Sequence, residues 1–190
     1  MARLLIATGN AGKLREYGRL LEGSGLELDG HDSDVEEVGD TYQANAALKA
    51  EAVATLTGEP ALGDDSGLEV KALGGFPGLR SARLAGTQEE RNRILFAGLT
   101  AVPRPWRARF VCAVALAVPG QPTRCFTGER WGELVDPRSG GHGFGYDPVF
   151  LVPAVGKTFD EMEPAEKDRW SHRAAAVRAL LDSGALPGVR

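Results

Sequence analysis

The chain has 190 residues, 43% apolar and 25% charged, a size and balance suited to one compact domain. Folding at this size buries roughly 70% of the unfolded surface, so no disulfide or metal staple is needed. A net charge of −4 argues against a general nucleic-acid coat that works by releasing counterions. The longest apolar run, Val111 to Pro119, is about half of a bilayer span.

The 25 glycines and 11 prolines predict many shaped loops. The chain opens on a strand-like run instead of a signal peptide, so a cytoplasmic protein with free thiols is expected.

In chain order, Arg3 to Ala7 is an apolar run without alternation, as in a strand covered on both faces of a partly parallel sheet. Leu14, Tyr17, Leu20 and Leu21 follow at helical spacing, and Gly23 stops that helix. Asp40 with Gln43 reads as a capping box before an alanine-rich helix to Thr57, ended by Gly58 and Pro60. Ala61 to Asp65 and Leu68 to Val70 read as two short strands flanking an acidic turn.

Thr87 to Glu90 form a capping box for a third helix through Leu99. Residues 107–118 and 123–131 read as a hairpin about a Pro-Gly-Gln-Pro turn, pairing Cys112 with Glu129 and Cys125 with Leu116. Phe150 to Val152 is a further strand. Ser171 caps a last helix with Ala174, Val177 and Leu181 on one face. The elements interleave without repeat or linker. They predict one α/β domain over residues 1–190, a mixed, partly parallel sheet flanked by helices, in two lobes around a groove.

Four segments could carry chemistry. Thr8, Gly9, Asn10, Ala11, Gly12 and Lys13 stand between a strand end and a helix start, where N–H groups, the helix dipole and an ammonium favour phosphate. A tight turn with a solvated lysine is the plainer alternative. It is not a Walker A loop, because Ala7 replaces its first glycine and Leu14 its hydroxyl residue.

Gly63 to Gly67 sets Asp64 beside Asp65, a pair suited to a hard cation or to a structural turn. The loop Asp32, Ser33, Asp34, Val35, Glu36 and Glu37 adds acids that matter only if folding brings them to the same place. Phe144 and Tyr146 sit among the glycines of residues 140–145, as rings that stack on a base or fold back into the core. Lys167, His172 and Arg173 put donors around a helix start. Arg104, Trp106, Arg107 and Arg109 read as the exposed face of a strand.

In combination these segments resemble the inosine triphosphate pyrophosphatases of the Ham1 and RdgB type. The resemblance is carried in order by LLIATGNAGKLREYGRLL at 4–21, GDDSGLEVKALGGFPGLRSAR at 63–83, FGYDPVF at 144–150 and EKDRWSHRAAAV at 166–177. It implies a homodimeric, Mg2+-dependent enzyme that hydrolyses ITP, dITP and XTP to the monophosphate and pyrophosphate. Thr8, Gly9, Asn10 and Lys13 would hold the triphosphate, with Ser66 touching substrate. Glu36 and Asp65 would bind magnesium, and Asp65 would accept the proton of the attacking water; Glu37 is the adjacent alternative to Glu36.

Phe144 would stack on the base beside Gly145, Tyr146 and Asp147, while Lys167, His172 and Arg173 complete the contacts. Arg173 and His172 are the expected donors to a 6-oxo group. Gly63 and His142 depart from residues common in relatives, without removing a functional group. The competing readings are a Maf-like pyrophosphatase for modified pyrimidine nucleotides and a nucleotide sensor without turnover.

Overall fold

A computed structural model describes residues 2–32 and 35–186; Ser33 and Asp34 of the acidic loop lie outside the described residues. Seven strands form one mixed sheet in the order β2-β1-β3-β4-β5-β6-β7. They are β1 (Ala2–Ala7), β2 (Leu26–His31), β3 (Ala61–Val70), β4 (Trp106–Ala117), β5 (Arg124–Leu134), β6 (Phe150–Val152) and β7 (Lys157–Thr158). The helices are α1 (Ala11–Leu20), α2 (Tyr42–Thr57), α3 (Gln88–Ala97), α4 (Pro164–Trp170) and α5 (His172–Asp182).

The chain divides into two compact units. The first takes the described residues up to Asp65, Cys112–Gly128 and the segment from His172 onward; the second takes Ser66–Val111 and Glu129–Ser171. β3, β4 and β5 each run through both.

In the first unit β1 pairs in parallel with β2 and with β3. Leu4, Leu5, Ile6 and Ala7 are all nearly inaccessible, which explains the missing alternation: both faces are covered. On one face Leu4, Ile6 and Leu62 pack with Tyr17 and Leu21 of the α1 segment and Ala176, Val177 and Leu180 of α5. On the other face a Cβ at Gly63 would lie 2.1 Å from the Ala46 carbonyl and 2.8 Å from the Ala50 nitrogen, so only glycine lets α2 seat this close. Ala7 stands opposite Gly63, so the loop after β1 and the acids after Gly63 lie at the same carboxyl edge of the parallel strands.

The second unit has its own core, centred on Phe110, Phe150 and Phe159, with ring centroids 4.7 to 5.9 Å apart. β5 and β6, then β6 and β7, pair antiparallel.

Three expectations need correction. The acidic turn is no turn, because β3 continues from Ala61 to Val70. Extended backbone sends Asp64 and Asp65 to opposite faces, where each meets its own partners, so their mutual repulsion forces no break. The α2 cap is Thr41, whose side chain accepts from the Ala44 N–H, and not Asp40. In α5 Leu180 is buried while Leu181 is 37% exposed, because the face that packs is centred nearer Arg173 and Leu180. Thr87 does cap α3, accepting from the Glu90 N–H, and Cys112 and Cys125 are free. Among the described residues no helix is long and apolar enough to cross a membrane.

Candidate active site

The loop after β1 is built by Asn10, whose side chain accepts from the Gly12 and Lys13 N–H groups at 2.8 and 3.1 Å. The Asn10 N–H in turn donates to the Thr8 hydroxyl at 3.1 Å. Two of the N–H groups expected to meet phosphate are therefore already satisfied by the cap. Anion attraction at this helix start falls to the dipole and to the Lys13 ammonium. Gly9 leaves room for the Asp32 carboxylate, which a Cβ would approach to 2.7 Å.

Lys13, Glu16 and Tyr17 share one face of α1 by their spacing. That face meets Asp64. Its carboxylate accepts from Lys13 Nζ, from Tyr17 Oη at 2.9 Å, from Arg173 Nε at 2.9 Å and from Cys112 Sγ at 3.1 Å. Arg173, 2% exposed, also pairs with Glu16 through Nη1. Burial pushes the Asp64 carboxyl up, but Arg173 and Lys13 overcome it and hold the group well below the ordinary range. Burial and the Asp64 charge raise the Tyr17 phenol and the Cys112 thiol well above theirs, which keeps both as neutral donors.

Asp65 faces α2 instead. Its Oδ2 accepts from Asn45 Nδ2 at 3.0 Å, and its Oδ1 lies 3.9 Å from Lys49 Nζ, which pairs with Glu37 at 2.7 Å. Burial raises the Asp65 carboxyl; Lys49 and Asn45 pull it down without cancelling the rise, and Glu37 and Asp64 add to it. Glu37, not Glu36, is thus the loop acid that folding brings to Asp65, while Glu36 is exposed. Asn45 and Lys49 were missed in the sequence. Their signal is a pair of polar residues four apart in an alanine-rich helix.

In the second unit, Asp147 Oδ2 accepts from the Phe144 N–H at 2.8 Å and from Lys167 Nζ at 2.6 Å. The Lys167 ammonium lies 4.8 Å from the Phe144 ring centroid, a cation–π contact. Gly145 takes a positive φ of 60°, and Tyr146 is buried with its hydroxyl donating to the Ser81 carbonyl at 3.2 Å. Burial pushes the Tyr146 phenol up to about 12. Ser66, partly buried, opens this unit's part of β3.

His172 and Arg173 are both buried at the start of α5. Arg173, expected as a donor to the base, spends Nε on Asp64 and Nη1 on Glu16, because a carboxylate this deeply buried requires a cation beside it. Arg109 of the basic and aromatic run joins Glu69 and Glu129 at 2.8 Å each, and Arg107 is exposed.

The model of the Ham1 family matches residues 4–183. The chain belongs to the Ham1 family. It is 49% identical to a dITP/XTP pyrophosphatase of Gloeobacter violaceus, over 95% of this chain and 93% of that one. It is 46% identical to a protein of the same name from Thermus thermophilus, over 95% and 91%. A Ham1 protein structure from Coxiella burnetii superimposes with a TM-score of 0.85 at 35% identity, covering 97% of this chain and 100% of that one. The Staphylococcus aureus Ham1 protein gives 0.82 at 37%, covering 96% and 99%. These Ham1 structures share the whole α/β architecture, not one motif of it.

Proposed function

We propose that the chain is a nucleoside triphosphate pyrophosphatase, hydrolysing dITP, XTP and ITP to the monophosphate and pyrophosphate. Relatives named dITP/XTP pyrophosphatase support the substrate class. The observation that carries the chemistry is the split between two adjacent carboxylates, one held ionised by fixed cations and the other raised toward basicity. A general base is most effective when its pKa approaches the working pH, so Asp65 is the proton acceptor for water attacking the α-phosphorus. Lys13, Thr8 and Asn10 hold the phosphates at the dipole end of α1, and Lys49 adds a second ammonium. Phe144, Gly145, Tyr146 and Asp147, with Lys167, form the base-binding set, and His172 remains the candidate for the 6-oxo group.

The donor chemistry fits magnesium. Asp65 and Glu37 already share one cation, the Lys49 ammonium, and two carboxylates with phosphate oxygens and waters suit a hard divalent ion. Asp65 and Glu37 would hold it, and Glu36, though adjacent, is exposed. Among the described residues no cluster of three or more metal-binding side chains occurs, so substrate would complete the shell. When bound, the ion would neutralise phosphate charge. The homodimer rests on the family resemblance alone.

Incubation with dITP, XTP or ATP, with and without magnesium, followed by separation of pyrophosphate from orthophosphate, tests the proposal. Pyrophosphate and a monophosphate are expected from dITP and XTP. Orthophosphate with a diphosphate would overturn it.

A further inference from the structure

The base-binding loop is held by a residue outside every motif described above. Asp160, 4% exposed, turns its carboxylate into the glycine run. Its Oδ2 accepts from the Gly140 and Gly141 N–H groups at 2.7 and 2.9 Å, and its Oδ1 from the Gly143 N–H at 2.8 Å. The intervening His142 N–H donates to the Asp160 main-chain carbonyl at 3.4 Å. Four successive amides therefore end on one residue, and the fifth, that of Phe144, ends on Asp147. Successive N–H groups gathered in this way form a concavity for an anion, and here the protein supplies the anion itself.

The fit is tight. A Cβ at Gly140 would lie 2.2 Å from the Asp160 carbonyl, and one at Gly143 would lie 2.5 Å from Asp147 Cβ and 2.9 Å from Asp160 Oδ1. Glycines that permit this approach also give the loop many unfolded alternatives, so without a clamp the ordering cost falls on ligand binding. The three amides outweigh burial and hold the Asp160 carboxyl below its ordinary range, so the clamp keeps its charge at neutral pH.

We infer that Asp160 is a positioning residue for base recognition: its carboxylate fixes Gly140 to Gly143 and thereby presents Phe144 preformed to the nucleobase. The inference rests on the nucleotide reading of this loop. Asp160 touches no substrate and acts through the backbone it holds.

Asp160→Ala tests it, with Asp160→Asn as the conservative variant that keeps one acceptor oxygen. If the loop is then competent about a tenth of the time, KM for dITP rises about tenfold while kcat stays within about twofold. Inhibition by inorganic pyrophosphate, which has no base, stays unchanged, and hydrogen exchange at residues 140–143 speeds up. Asp160→Asn falls between wild type and Asp160→Ala on both readouts, and carries the measurement alone should the alanine variant fail to fold. Faster exchange with unchanged KM would overturn the inference, as would equal weakening toward dITP and pyrophosphate, which marks a general loss of structure. A wild-type protein that does not hydrolyse dITP would sink the nucleotide reading instead, and that result is seen before any variant is made.

Discussion

On one face of β3 the Asp64 carboxylate meets two cations, a phenol and a thiol; on the other, Asp65 meets a carboxamide at 3.0 Å and an ammonium 3.9 Å away. Both groups are buried, so burial alone cannot separate them. The number and closeness of their cations does. Asp64 is compensated twice over and keeps its charge, whereas Asp65 shares the more distant Lys49 ammonium with Glu37 and is left more basic. A two-residue period thus gives adjacent acids separate surroundings, which supports the two tasks we propose for them, one structural and one chemical.

The largest expected effect is on turnover. Asp65→Asn keeps size and an oxygen but removes basicity, so kcat for dITP should fall roughly 10²- to 10⁴-fold. Its stability should equal or exceed that of wild type at neutral pH, because a carboxyl raised by burial costs the folded state when ionised. Near-normal kcat at saturating dITP would erase the chemical half of the comparison. Asp64→Asn should show the opposite pattern: removing the shared anion leaves Arg173 and Lys13 undercompensated, at a cost of about 3–5 kcal/mol in urea unfolding. Equal stability of the two variants would show that the faces do not differ.

The pH dependence sharpens the same contrast. Asp64 has a depressed folded pKa, so its stabilisation is present above the unfolded value of about 3.9 and is lost as pH falls through the folded value. The stability gap between wild type and Asp64→Asn should therefore narrow on acidification. Asp65 has a raised folded pKa, so the acid limb of kcat/KM should lie above the ordinary carboxyl range. Lys49→Met removes the main group that lowers it and should move that limb to higher pH. An unmoved limb would detach Lys49 from the proposed proton acceptor.

The sequence made much of this legible, for local reasons. β1 is visible because Leu4 to Ala7 are covered on both faces, and the turn into α1 because its glycine and Asn10 chemistry is confined to a few residues. β2, polar and partly exposed, escaped notice, as did the continuation of β3 through Asp64 where a turn was expected. That continuation depends on Arg173, more than a hundred positions away, supplying the charge that lets an acid lie inside a sheet. Asn45, Lys49 and Asp160 were missed for a similar reason. Each is an ordinary polar residue until folding sets it against Asp65 or the glycine loop.

The smallest expected effect concerns the helix that carries the Asp65 partners. Asn45 lies one turn into α2 and is held twice, donating to Asp65 and accepting from the Gly39 N–H at 2.8 Å. Thr41 stabilises that turn by accepting from the Ala44 N–H at 3.1 Å, so Thr41→Ala should cost about 1 kcal/mol of stability. Asp40 is exposed and is not the cap, so Asp40→Ala should change stability by less than about 0.5 kcal/mol. Fraying at Thr41 also loosens Asn45, which helps to hold down the Asp65 pKa, so the acid limb should drift upward in Thr41→Ala and stay fixed in Asp40→Ala. Equal costs from the two substitutions in urea titrations would return the cap to Asp40. An unmoved limb in Thr41→Ala, with the stability loss intact, would show that the Asp65 face is held by Lys49 and the sheet, not by the start of α2.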